Sequence, residues 1–219
     1  MGSITRSFAN NITTSGILLP ASLNNASLTN VTAYNASVAT GNMVLISSQT
    51  ASNSASISFT TGINSTYKEY QFWFADIHAR TDGFEFTFNL STDSGSNYNV
   101  TKTSTFFANT HAESDAGGDV SYKINSDLAQ STGFQVLNQL TDLSSDADHV
   151  VVGSMSLFNP ASTTYVKHYI AITSANHPSD YITNAYIGGY ANTTSAINAI
   201  QFKMSSGNFD GTILMYGIV

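Results

Sequence analysis

Cysteine is absent from the 219 residues. Its absence excludes a disulfide framework, a thiolate zinc site and a cysteine nucleophile. Charge is scarce as well. Asp, Glu, Lys and Arg make up 10% of the chain, against about 25% in an average soluble protein. Lysine and arginine together number 7 and are scattered, so they build no basic patch. With a net charge of −7, the chain does not fit a nucleic-acid binder, which needs clustered cations over the phosphates. No apolar run approaches the ~20 residues of a membrane-spanning helix. No repeat of 20 to 50 residues is visible, which sets aside solenoids and propellers. Met1-Gly2-Ser3-Ile4-Thr5-Arg6 shows no basic stretch followed by an apolar block, so no secretory signal is expected there.

What fills the chain is Ser, Thr and Asn, roughly a third of all residues and far above average usage. Hydrophobic content of 42% and aromatic content of 11% are too high for a disordered polymer. Residues 1–42 stand apart, with Arg6 their only charged side chain. Ser22-Leu23-Asn24-Asn25-Ala26-Ser27-Leu28-Thr29-Asn30-Val31-Thr32 has neither a helical nor a strand period, and its polar side chains compete with the backbone for hydrogen bonds. This segment is expected to be an extended docking arm that lies on a neighbour.

From residue 43 to residue 219 a period of two takes over. Phe84, Phe86, Phe88 and Leu90 alternate with Glu85, Thr87 and Asn89. Tyr70 to His78 carries aromatics on both faces, the mark of a central sandwich strand. Ser91 to Asn97 reads as a hairpin loop, and Tyr98 to Phe106 as the returning strand. Further runs are Val120 to Ile124, Phe134 to Leu137, Val150 to Phe158, Tyr165 to Thr173, Tyr181 to Gly188, Ile197 to Met204 and Thr212 to Ile218. Ser126 to Gln130 is expected as one helical turn capped by Ser126. The pattern predicts an all-β protein: an antiparallel, jelly-roll-like β-sandwich over 43–219 behind an extended N-terminal arm.

Several groupings bear on chemistry. In Asp76-Ile77-His78 and in His111-Ala112-Glu113-Ser114-Asp115, alternate residues share a strand face. Side by side, two such strands would make a His/carboxylate metal site; as strand ends and polar loops they make none. Asp142, Asp146 and Asp148 could offer carboxylates to calcium. They lack the spacing of a calcium loop, and a solvated acidic loop explains them better. No G-x-S-x-G elbow accompanies the five histidines (His78, His111, His149, His168, His177). The pairs Gly117-Gly118 and Gly188-Gly189 lack phosphate-loop spacing and read as turns or bulges. Trp73 lies in the most apolar strand and is expected in the core, whereas Tyr98, after the Gly95 loop, is the better outward candidate for stacking on a ligand. No cofactor and no resident metal are expected.

Ser195 to Val219 places two strands about a Gly207-Asn208 and Asp210-Gly211 turn. Together with Tyr67-Lys68-Glu69-Tyr70-Gln71-Phe72, Ser94-Gly95-Ser96-Asn97-Tyr98-Asn99 and Leu157-Phe158-Asn159-Pro160, it resembles a group of tailed-phage virion proteins, especially those of marine phages. The resemblance runs over nearly the whole chain and rests on strand and turn phrases that hold no catalytic residue. It implies a virion surface protein, assembled in the host cytoplasm, whose partners are other capsid or tail proteins. Two placements follow: a capsid decoration or head appendage docked through the arm, or a tail-fibre adhesin that binds host-surface glycan. A polysaccharide hydrolase working through Asp76 or Glu113 is a third reading. Fold-level analogy predicts a homotrimer. Tyr70, Phe72, Tyr181, Tyr186 and Tyr190 are the expected interface residues. Neither nucleic acid nor a membrane span is expected.

Overall fold

A computed structural model describes residues 42–139 and 143–219. The expected arm, but for its last residue, lies outside the described residues. The described residues form strands and turns, with no helix among them. The strands are β1 (Met43–Ser54), β2 (Ile57–Phe59), β3 (Glu69–Ala79), β4 (Phe86–Ser91), β5 (Lys102–Ala112), β6 (Gly118–Tyr122), β7 (Gln135–Val136), β8 (Val151–Phe158), β9 (Lys167–His177), β10 (Tyr181–Ala191), β11 (Ala199–Met204) and β12 (Phe209–Ile218). They pair antiparallel throughout, in an eight-stranded sheet of order β1-β12-β3-β8-β9-β10-β5-β6 and a four-stranded sheet of order β2-β11-β4-β7. Eight plus four strands leave the narrower jelly-roll expectation without support. Among the described residues no helix is long and apolar enough to cross a membrane.

The core lies between the sheets and is largely aromatic. Phe59 of β2 meets Phe72 of β3 edge-on, with centroids 5.6 Å apart, and Phe86 of β4 meets Phe74 at 5.2 Å. Phe202 of β11 packs against Phe72 at 5.4 Å and Phe74 at 5.3 Å. Phe88 of β4 meets Tyr169 of β9 at 5.1 Å. Tilted and edge-to-face rings suit the aromatic quadrupole and fill a space about 10 Å thick between sheets. The alternation read from the sequence survives in β4, yet both its faces are covered and all six residues are buried. Its polar face is satisfied by hydrogen bonds: Thr87 Oγ1 donates to Lys203 O at 2.9 Å, and Asn89 Nδ2 donates to Tyr98 O at 2.7 Å and Thr132 O at 3.0 Å.

Departures from the predicted elements are local. Ser126 to Gln130 is a turn, not a helical one, because its backbone is tied to β5 instead: Ser104 N donates to Leu128 O at 2.9 Å. The returning strand begins at Lys102 rather than Tyr98. Gly188-Gly189 lies inside β10, paired on both sides, and is no turn.

Candidate functional site

The histidine and acid groupings are separated by the strand order. Asp76 and His78 lie on β3, and His111 is the penultimate residue of β5, with Glu113 and Asp115 in the turn that follows. β8, β9 and β10 stand between β3 and β5, a separation of roughly 19 Å at ordinary strand spacing. That rules out a metal site shared by the two groupings and exceeds the ~5–9.5 Å between the paired acids of glycoside hydrolysis. No group of three or more His, Cys, Asp and Glu suited to a metal occurs among the described residues. Asp76 also sits in a bulge, with φ of 53°, so strand alternation does not govern its direction. His78 instead donates through Nε2 to Asp146 O at 3.0 Å, and its Nδ1 lies 3.8 Å from Asp210. His111 lies 3.4 Å from Asp115 across the strand end.

Asp142 lies outside the described residues. Asp146 and Asp148 are exposed, and their loop is held by its backbone. Ser145 N and Oγ donate to Asp82 Oδ1 at 2.7 and 2.8 Å, which holds the Asp82 carboxyl below its ordinary pKa. Asn176 Nδ2 donates to Asp148 O at 2.8 Å. This is a stapled acidic turn. Tyr98 is half-buried with its hydroxyl buried against the Gly95 turn, so it is not the outward stacking residue expected. That turn is organised by Asp93, which accepts from Ser91 Oγ at 2.6 Å, Asn97 N at 2.9 Å and Asn97 Nδ2 at 2.7 Å; these donors pull its pKa down to about 2.

Two lysines are buried. Lys102 Nζ donates to Asn89 Oδ1 at 2.5 Å and Val100 O at 2.8 Å, and burial pulls its pKa down to about 7. Lys167 Nζ donates to Ser195 O at 2.7 Å and Thr193 O at 3.1 Å. Both tie loops to strand ends.

The unusual surface is the outer face of the eight-stranded sheet. The two faces of β3 are reversed from expectation. Tyr70 and Phe72 are fully buried between the sheets and cannot form an interface, while Trp73, expected in the core, is 45% exposed. Both faces of this strand are aromatic, so alternation alone left the direction open. Pairing carries one row across all eight strands: Ser48, Leu214, Trp73, Ser154, Ile172, Tyr186, Phe107 and Tyr122. The next row outward reads Leu45, Tyr216, Gln71, Ser156, Ile170, Gly188 and Thr105. Neither row contains Asp, Glu, Lys or Arg. Trp73 leans on Tyr216 at 5.5 Å, and Phe107 stacks on Tyr186 at 5.0 Å. Ile170 and Ile172 are about half exposed, at 52% and 48%. Of the remaining expected interface residues, Tyr186 and Tyr190 lie on this face, and Tyr181 stacks on His177 at the far end of β10.

A trough crosses this face at Gly188. Tyr186, Gly188 and Tyr190 alternate onto the outer side of β10, and the middle one has no side chain. On one side of Gly188 the opening has a volume of about 340 Å³, bounded by Thr105, His168, Ile170 and Tyr190. The adjoining part, about 270 Å³, runs to Phe107, Ile172 and Tyr186. Sequence reasoning marked Tyr186 and Tyr190 but missed Trp73, Phe107, Ile170, Ile172 and Gly188. The usable signal was the combination of period-two apolar residues on both faces with a mid-strand glycine.

No protein-family model, no curated protein and no solved structure matches the chain.

Proposed function

We propose that this protein is a non-enzymatic structural component of a tailed-phage particle and acts by packing and recognition. The particle comes from the resemblance of the Tyr67–Phe72, Ser94–Asn99, Leu157–Pro160 and Ser195–Val219 phrases. The mode of action comes from one observation: the outer face of the eight-stranded sheet, whose two central rows hold no Asp, Glu, Lys or Arg and where Trp73, Phe107, Ile170 and Ile172 remain exposed in a single chain. Exposed apolar side chains gathered on one sheet face mark a contact surface. In this reading the protein is a homo-oligomeric capsid decoration or head appendage on the virion surface, docked through residues 1–42 with the sandwich displayed outward. Immunogold imaging of purified particles with an antibody against the full chain tests it. Label over the icosahedral shell is the expected result; purified particles that carry no label overturn it.

A second reading is a tail-fibre or adhesin module that binds host-surface glycan. The pairs Trp73/Tyr216 and Tyr186/Phe107 favour it, because ring faces beside Ser, Thr and Gln side chains can stack on sugars while neighbouring groups hold hydroxyls. Label confined to the tail tip, with binding of the full chain to host cells lost in Trp73→Thr, would select this reading.

A further inference from the structure

We propose that the outer face of the eight-stranded sheet pairs with the same face of a second copy, with Trp73 of each chain seated in the Gly188 trough of the other. The pairing deepens the assembly reading above and rests on the same face.

Four observations point to a second copy. The first is size. Eight strands ~4.8 Å apart and two pleats of ~7 Å deep make the two rows a face of roughly 500 Å², so two copies together bury about 1,000 Å², the lower bound for a specific interface. The second is charge. The molecule carries −7, which repels a second copy over most of its surface, but the two central rows hold no charged residue, and the Glu69 carboxylate beside them accepts from Ser156 Oγ at 2.7 Å.

The third is self-complementarity, which a two-fold interface demands. β3 is third and β10 sixth among the eight strands, so they lie equally far from the boundary between β8 and β9. A two-fold axis along that boundary exchanges them and sets the projecting Trp73 of one copy over β10 of the other. Trp73 is level with Tyr186, one pleat or ~7 Å along the strand from Gly188. The length of an indole and the crossing angle of stacked sheets cover that step.

The fourth concerns the two glycines. A Cβ at Gly189 would lie 2.5 Å from the Tyr169 ring and 2.8 Å from Thr103 O, so the fold requires glycine there. Among the described residues, a Cβ at Gly188 would meet only Thr105 Oγ1, at 3.7 Å, an ordinary contact. The packing of the described residues therefore gives no reason for glycine at 188. Its effect is outward: it keeps the trough open between Tyr186 and Tyr190.

Sedimentation velocity of the full chain over a range of concentrations tests the pairing. The wild type is expected at twice the 23.3 kDa of one chain. Gly188→Val fills the trough, and Trp73→Thr removes the anchor. Each is expected to weaken pairing by about 30-fold or more, the effect of losing a central interface anchor. Both variants should keep the wild-type circular dichroism, which separates lost pairing from lost folding. Tyr165→Ser, an exposed aromatic in the loop before β9, should pair as the wild type does. A chain that stays monomeric at every concentration overturns the proposal, whether its face is bare or covered by residues 1–41. A trimer mass overturns it too, as does pairing indifferent to both variants. The assembly reading fails separately, when purified particles carry no label, whatever the mass in solution.

Discussion

A methyl group added at Gly189 has nowhere to go, because the Tyr169 ring and the Thr103 carbonyl already occupy the site. Gly189→Ala should therefore destabilise the fold by about 1–3 kcal/mol through overpacking, while Gly188→Ala should stay within about 0.5 kcal/mol of wild type. Chemical denaturation of dilute protein, where chains are separate, reads both. From sequence the two glycines look alike and resemble a turn; only their register in β10 distinguishes them. Lys102 is a second residue whose role depends on its surroundings. Burial lowers its pKa in the folded chain to about 7 from the ordinary 10.5, so between those values the unfolded chain binds the extra proton. Stability from this group is thus fully present above pH 10.5 and is lost as pH falls towards 7. Unfolding free energy should rise from pH 7 to about 9.5, by at most about 1.4 kcal/mol per pH unit for one titrating group. Lys102→Met should flatten that rise. A wild-type profile that falls over the same range would contradict the assignment.

At the scale of the strand, legibility depended on whether one face was polar. The alternation in β4 identified the residues that reach the core, since Phe86, Phe88 and Leu90 differ in kind from Thr87, Asn89 and Ser91. β3 has apolar residues on both sides, so the period showed a strand without showing which side faces inward, and Trp73 and Phe72 came out reversed. Strand order was not legible at all. β1 pairs with β12 and β3 with β8, contacts far apart in the chain, so His78 and His111 could not be placed relative to each other from local pattern. β11 shows how such pairing concentrates stability. Its Phe202 packs against Phe59, Phe72, Phe74, Phe86 and Phe88, and so joins the two sheets. Phe202→Ala should cost about 3–5 kcal/mol, measured by thermal or denaturant unfolding. A loss below about 1 kcal/mol would mean that the sheets are not held together through this ring.

At the scale of the whole molecule, charge and apolar surface are segregated. Many of the acids that give the chain its charge of −7 sit in turns, such as those of Asp82, Asp93, Asp146 and Asp148, and the two central rows of the broad sheet face hold none, with Glu69 at their border. The low charge count and the all-β class could be read from composition and period. That one face of one sheet is both apolar and uncovered could not, because it depends on which strands become neighbours. The chain's only tryptophan lies on that face, so its fluorescence reports directly on whether the face is covered. The emission of Trp73 in the full chain should be measured with acrylamide quenching from nanomolar to hundreds of micromolar protein. On association the account predicts a blue shift and a fall in quenching, with Gly188→Val remaining red-shifted and quenchable over the same range. Emission and quenching that stay constant across all concentrations, and are identical in wild type and variant, would contradict it.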